Sequence, residues 1–445
     1  MEDERIIDLY WQRSQEAISR TDEKYGRLCT KISLNILSNA QDAEECVSDT
    51  YMALHRHGVR VLSAFTGMRV RMVFCVREIE ALRLLGWCQY IRPAQLLRVV
   101  SETELSNLLA MKLIKYHGKS EALILTAEGR RLLAGTIWLP DTPRTYHADA
   151  VVRRLRLVSL LLTAYQSGIN VYATQPDELA EGNALFLTSA GRGRGRNPWG
   201  STRTAALLHV GNLLCAAHYV CPDIGCLCPM DELSAFQNNT ARLAGVRSFL
   251  FCGESYSDML TELDKPMAED ESKLMTYGAA AHWFQQPVYL LPCDDTGVTQ
   301  LQIMAQPDYR QRLTRLALKG HYRPPPPEYP CWDALFQGQP FVLAGGMAAD
   351  RELRRVDAAY TLAREQGYSQ LVLAALPQQV AEVWGPHYRD TGKARVFTMT
   401  EDAITQLLGK TPKPYRPPDT PYVTEKGEMI HAPLIKAAGK AGGYR

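Results

Sequence analysis

The sequence predicts a mixed fold: helices at the N-terminus, a helix-rich unit closed by a β-hairpin, then an α/β body with a mostly parallel sheet. Three observations predict it. Apolar residues recur at helical spacing from Ile6 to Leu54. Between residues 72 and 137, three helical stretches precede two short apolar runs that flank Gly118-Lys119. Beyond Phe341 strands and helices alternate, as they do where helices connect parallel strands.

Composition bounds the rest. A chain of 445 residues holds two to four domains, and 50 Lys and Arg against 48 Asp and Glu leave it nearly neutral. Nucleic-acid binding must therefore come from local charge. No window of about eighteen apolar residues marks a membrane span, and the acidic start lacks the basic-then-apolar pattern of a signal peptide. The expectation is a cytoplasmic protein that does not engage a membrane. Eleven cysteines, an odd number scattered over apolar faces, fit reduced thiols better than a disulfide framework.

Taken in order, the first helix carries Ile6, Ile7, Leu9, Tyr10, Ala17 and Ile18, and the second Tyr25, Leu28, Cys29, Ile32, Ile36 and Leu37. Ser38-Asn39-Ala40 breaks the pattern. A third helix begins near Asp42, with Glu44 and Glu45 in a first turn that favours acids. Its inner face is Ala43, Cys46, Val47, Thr50, Tyr51 and Leu54. A plain three-helix bundle with an acidic surface accounts for this much. The longer pattern of Ile6-Ile7-x-Leu9-Tyr10, Tyr25-Gly26, Ile36-Leu37-x-Asn39, Asp42-Ala43-Glu44-Glu45 and Leu62-Ser63-Ala64-Phe65 resembles region 2 of a bacterial RNA polymerase sigma factor, over residues 1–67. That resemblance implies docking on the clamp helices of the polymerase β′ subunit through Asp42, Glu44, Glu45 and Asp49. Residues 1–57 hold 7 Lys and Arg against 11 Asp and Glu, a net of −4, unlike a DNA-binding surface. The pattern stops after Phe65-Thr66-Gly67: no aromatic-rich melting helix follows and no second helix-turn-helix. A truncated polymerase-binding module and a fusion relic both remain open.

Charge then reverses. Residues 58–135 hold 12 Lys and Arg against 6 Asp and Glu, a net of +6. Arg77 to Leu85 reads as a helix ended by Gly86, and Pro93 sits at the first position of a second. Ser101 with Glu104 forms a capping box for a third, whose apolar side is Leu105, Leu108, Leu109 and Ile114. The runs Ile114 to His117 and Leu123 to Leu125 make a hairpin, and Thr126-Ala127-Glu128-Gly129 opens a closing helix. The order resembles a winged helix over residues 72–137. In such a fold the third helix enters the major groove and the wing lies on the backbone. Thr103, Ser106, Asn107 and Lys112 would then face base edges, and Lys115, His117 and Lys119 would reach phosphates. The alternative is a protein-binding winged helix, since the third helix starts with two glutamates and carries no arginine.

An α/β domain is expected over residues 150–408. Val151 to Tyr165 reads as a helix with Arg153, Arg154 and Arg156, and Gly191 to Arg196 as a basic flexible loop. Thr204 to Val210, Phe249 to Cys252, Val288 to Leu291 and Leu301 to Met304 read as buried strands. Cys215, Cys221, Cys226 and Cys228, with His209 and His218, crowd one region, but Cys221-x4-Cys226-x-Cys228 matches no common zinc knuckle, so core packing is preferred and no metal is expected. Pro324 to Pro327 is a stiff linker or surface loop within 321–330. Strands Phe341 to Ala344, Leu371 to Ala375 and Ala394 to Met399 alternate with helices Asp350 to Gln366, Val380 to Trp384 and Glu401 to Leu408. Residues 409–445, rich in Pro, Lys and Gly, read as a disordered tail.

Catalysis and cofactors are not expected. Ala344-Gly345-Gly346 lacks a dinucleotide fingerprint and no phosphate loop occurs. His55-Arg56-His57 has a charged centre where a histidine-pair relaxase needs an apolar one. Asp264 with Glu271-Ser272-Lys273 is the nearest nuclease-like match, and a nuclease-like α/β domain stays open. The winged-helix ending, Ser201-Thr202-Arg203 and the late strand–helix–strand loosely resemble replication-relaxation type proteins of Gram-positive plasmids and conjugative elements. That resemblance implies a double-stranded DNA partner in replication or mobilisation. The alternative is a transcription regulator that holds polymerase through the sigma-like segment and DNA through the winged helix.

Overall fold

A computed structural model describes Ile6, Leu9 and residues 14–37, 39–57, 60–62, 72–74, 76–118, 120–134, 148–173, 178–186, 204–220, 246–263, 288–344, 350–388, 394–409, 422–423 and 429–430. Two helices, α1 (Glu16–Leu37) and α2 (Ala40–His57), pack along one another. The predicted break separates them, with the Asn39 side chain accepting the Gln41 N–H at 3.0 Å. Ala43, Val47 and Tyr51, four residues apart, form the buried face of α2. Cys46, predicted to face inward, is exposed; it lies about 100° around the helix from the centre of that face. The first predicted helix falls largely outside the described residues. The N-terminal stretch is not purely helical either: β1 (Arg60–Leu62) pairs antiparallel with β2 (Met72–Phe74), where β-branched Val61 and Val73 lie opposite each other.

Next comes the unit of α3 (Val76–Cys88), α4 (Pro93–Leu96), α5 (Glu102–Ala110), the antiparallel hairpin β3 (Ile114–Tyr116) and β4 (Leu123–Leu125), and α6 (Ala127–Ala134). Gly86 does not end α3. The helix continues to Cys88 because Trp87 and Cys88 are buried, and that burial outweighs the cost of a mid-helix glycine, about 1 kcal/mol. The turn comes at Gln89, whose φ is 69°.

The rest is mixed α/β. Helix α7 (Ala148–Gln166) leads into a six-stranded sheet of β5 (Asn170–Ala173), β6 (Asn183–Phe186), β7 (Ala206–Val210), β8 (Leu213–Tyr219), β9 (Val246–Gly253) and β10 (Val288–Pro292), in sequence order across the sheet. α8 (Tyr256–Leu263) links β9 to β10, and α9 (Asp295–Met304) and α10 (Tyr309–Leu318) follow. A four-stranded sheet comprises β11 (Ala334–Phe336), β12 (Gln339–Leu343), β13 (Leu371–Ala375) and β14 (Ala394–Thr398), with α11 (Asp350–Glu365) between β12 and β13. Between β13 and β14 a helical stretch turns π-helical over Val380–Trp384, and α12 (Glu401–Leu408) closes the body. In the two sheets β5 with β6, β8 with β9, β9 with β10, and β12 with β13 with β14 pair in parallel, so both are mostly parallel, as predicted.

Leu301 to Met304, predicted as a strand, is instead the end of α9. A short apolar run does not distinguish a buried strand from a buried helix, and the Asp294 side chain decides it by accepting the Gly297 N–H at 3.0 Å. The Pro324 to Pro327 run is a loop between α10 and β11. Within the stretch read as a tail, Tyr422–Val423 pairs antiparallel with Met429–Ile430. No helix among the described residues is long and apolar enough to cross a membrane.

One buried cluster runs from Ile79, Leu82 and Trp87 through Leu161 and Tyr165 of α7 to Leu250, Leu291 and Leu343 of the sheets. The unit over 76–134 therefore shares its core with the body. Polar bonds cross the same boundary. Glu80 and Arg83 form a buried ion pair, and Tyr165 Oη donates to Glu80 at 3.2 Å. Gln95 Nε2 donates to the Leu155 carbonyl at 2.6 Å, and Arg98 Nη1 to the Cys293 carbonyl at 3.1 Å.

Candidate nucleic-acid interface

The face predicted to meet DNA is built from α5 outward. Ser101 Oγ accepts the Glu104 N–H at 3.3 Å while Glu104 Oε2 accepts the Ser101 N–H at 2.7 Å, which closes the predicted capping box. Arg77 reaches Glu104 Oε1 at 2.9 Å. One of the two glutamates that argue against a polyanion partner is thus buried, capped and neutralised.

Leu105 and Leu108 turn inward, leaving Thr103, Ser106, Asn107 and Ala110 on the exposed side at positions i, i+3, i+4 and i+7. This stripe is short, uncharged and hydrogen-bonding, and no large apolar residue interrupts it. Lys112 follows with a left-handed φ of 56°, a conformation that carries the chain out of the helix toward β3. Its carbonyl accepts the Thr126 hydroxyl at 2.7 Å, which ties the exit of α5 to the start of α6. Gly129 completes this joint: a Cβ there would meet the Leu113 carbonyl oxygen at 2.3 Å.

In the hairpin Ile114 is buried while Lys115 and Tyr116 are exposed, Tyr116 by 56 %. The structure thus gathers Thr103, Ser106, Asn107, Lys112 and Lys115 on consecutive exposed stretches. Lys119 lies outside the described residues. His117 is half-buried, with Nδ1 2.9 Å from Ser120 Oγ and its ring edge-on to Tyr90 at 5.3 Å; it shapes the hairpin. Among the described residues of this unit, Glu102 and Glu121 are exposed as well as Lys112 and Lys115. Arg131, exposed on α6, pairs with Glu128 at 3.0 Å.

The acidic residues of the sigma-like segment, Asp42, Glu44, Glu45 and Asp49, are all exposed on α2. Asp42, Glu45 and Asp49 fall within about 60° of one another around the helix, and Glu44 stands about 100° from Glu45.

Among the described residues no group of three His, Cys, Asp or Glu is placed to hold a metal ion. Cys215 and His218 are both buried in β8, in an odd-numbered relation that sends them to opposite faces. Cys215 joins the core beneath α7, whereas His218 lies 6.1 Å from the Phe249 ring and 5.9 Å from Phe251. Burial pushes the Cys215 thiol up to about 12 and the His218 imidazole down to about 4. Cys221, Cys226, Cys228, Asp264, Glu271 and Lys273 lie outside the described residues, as does the Gly191–Arg196 loop.

One charged surface escapes the sequence reading. Residues 309–323 hold five Lys and Arg and no Asp or Glu, a signal that counts over longer windows average away. Comparison of the chain with family models, with curated proteins and with solved structures finds no match in any of the three.

Proposed function

We propose that this chain is a DNA-binding protein of a mobile genetic element, with the unit over 76–134 acting as a winged helix. In this reading α5 lies in the major groove of duplex DNA and the β3–β4 hairpin is the wing. The observation that carries it is the stripe of Thr103, Ser106 and Asn107 on a rigidly capped helix. Asn can bond an adenine edge through two hydrogen bonds, and Ser and Thr serve either donors or acceptors. Lys112 and Lys115 supply phosphate contacts, which position the helix without reading sequence. The mobile-element setting comes from the sequence resemblance alone.

The test is binding of the full chain to duplex DNA across a salt series. Binding that weakens with salt, with Lys112→Ala and Lys115→Ala each lowering the slope by about 1, supports the reading. Absence of duplex binding at low salt would overturn it.

A second reading adds a polymerase contact, favoured by the exposure of Asp42, Glu44, Glu45 and Asp49 on one packed helix. Reversing Glu44 and Glu45 to Lys should abolish polymerase capture and leave DNA binding intact. Capture that survives the reversal removes this reading.

A further inference from the structure

The reading face has a deficit. Among its described residues, exposed Glu102 and Glu121 offset exposed Lys112 and Lys115, yet neutralised phosphates provide a large share of the affinity for duplex DNA. Helix α10 carries further exposed cations.

Helix α10 buries Leu313, Thr314 and Leu318 against the body. Its other side exposes Gln311, Arg312 and Arg315, and the chain continues into exposed Lys319, His321 and Arg323. Gln311, Arg312 and Arg315 fall within about 100° around the helix, and Lys319 follows the helix end in a left-handed conformation, about 10 Å along from Arg312. Arg310 shows what a structural arginine looks like here. It donates to Asp333 at 2.9 Å and to the Leu343 carbonyl at 2.8 Å. Arg312, Arg315, Lys319 and Arg323 form no ion pair among the described residues. The exposed acids nearest in the chain are Asp308, at the start of the helix, and Glu328, beyond the prolines.

Aromatic rings hold the segment in place. Arg315 stacks over Tyr322 at 5.4 Å, Arg323 Nη1 donates to the Tyr322 carbonyl at 2.9 Å, and His321 packs edge-on to Phe336 at 6.0 Å. Like charges held this close repel each other, and no carboxylate among the described residues pairs with them; Arg312 donates only at 3.4 Å to the Leu407 carbonyl and at 3.5 Å to Gln306 Oε1. Such a surface fits a polyanion of regular spacing. Each DNA strand carries one charge per about 3.4 Å of helix axis, so the stripe can face about three phosphates.

We propose that Arg312, Arg315 and Lys319 form a second duplex contact, a backbone clamp on the α/β body that supplies the affinity the α5 face lacks. The inference takes the identity of its polyanion from the DNA-binding reading.

The experiment uses the full chain and random-sequence duplex in a salt series. Replacing Arg312, Arg315 and Lys319 together by Ala should weaken binding by about 30-fold at low salt and lower the salt slope by about 2.7. An Arg312→Lys, Arg315→Lys double variant keeps the charges and should restore both, which separates lost charge from lost packing over Tyr322. An unchanged slope in the triple Ala variant, with circular dichroism showing a folded chain, overturns the clamp. A triple variant that loses binding while Lys112→Ala and Lys115→Ala have no effect keeps the clamp and removes the α5 reading; the reverse pattern removes the clamp and keeps α5. No duplex binding by the wild-type chain removes both.

Discussion

Helices α5 and α10 are both half buried, and both match the charges they turn inward: Glu104 meets Arg77, and Arg310 meets Asp333. They differ in what they leave outside. α5 exposes mainly short hydrogen-bonding side chains, α10 long cations that form no ion pair among the described residues. Short neutral groups on a fixed helix discriminate between base edges, whereas flexible cations hold phosphates of any sequence. On the proposed DNA-binding reading, the difference separates selectivity from affinity and gives them to two parts of the chain.

Both faces depend on a folded body, so the largest expected effect is one that leaves the surfaces alone. His218 is held neutral by burial, with a value of about 4 against an ordinary 6.5. Between those values the unfolded chain binds more protons than the folded one. Stability is therefore full above about pH 6.5 and falls as the pH drops toward 4, by about 3 kcal/mol. Urea denaturation at pH 7 and pH 4.5 should show the loss, and His218→Leu should reduce it. Equal acid sensitivity in the two proteins would mean that another group is responsible.

Breaking one side of the comparison comes next. Gly129→Ala places a methyl against the Leu113 carbonyl and should cost about 2 kcal/mol. A thermal melt of the variant should shift downward, and an unshifted melt would show that the joint between α5 and α6 gives way freely. Asn107→Ala sharpens the comparison. It should remove about 1–3 kcal/mol of discrimination between cognate and random duplex while leaving random-sequence affinity unchanged, a result that the α10 substitutions should invert. The smallest effect is Ser101→Ala, about 1 kcal/mol of stability from the lost cap, measured by the same urea titration.

Local chemistry decided what could be read in advance. The Ser101–Glu104 box, Pro93 at its helix start, the hairpin, and the bounds Leu371–Ala375 and Glu401–Leu408 all follow from caps, turns and periodicity. Packing decided the rest. Gly86 stays helical because Trp87 and Cys88 sink into the core, and Leu301 to Met304 is helical because Asp294 caps it. Strands β5 and β6 are short and almost wholly buried, so they carry no alternation to betray them. For the candidate interface, Thr103, Ser106 and Asn107 were legible from helix phase, and Lys112 and Lys115 from their place at the helix exit and on the hairpin. The α10 stripe was not, because which arginines are already matched is visible only in three dimensions.

The Glu80–Arg83 pair bears on how this chain can be divided. Its third member is Tyr165, and Gln95 and Arg98 also depend on residues beyond 150. A fragment cut near residue 140 would leave the pair without its tyrosine and open Ile79, Leu82 and Trp87 to water. Recombination that moved residues 76–134 alone into another protein would carry that wound with it. The unit and the body therefore stand or fall together as one piece of folded protein.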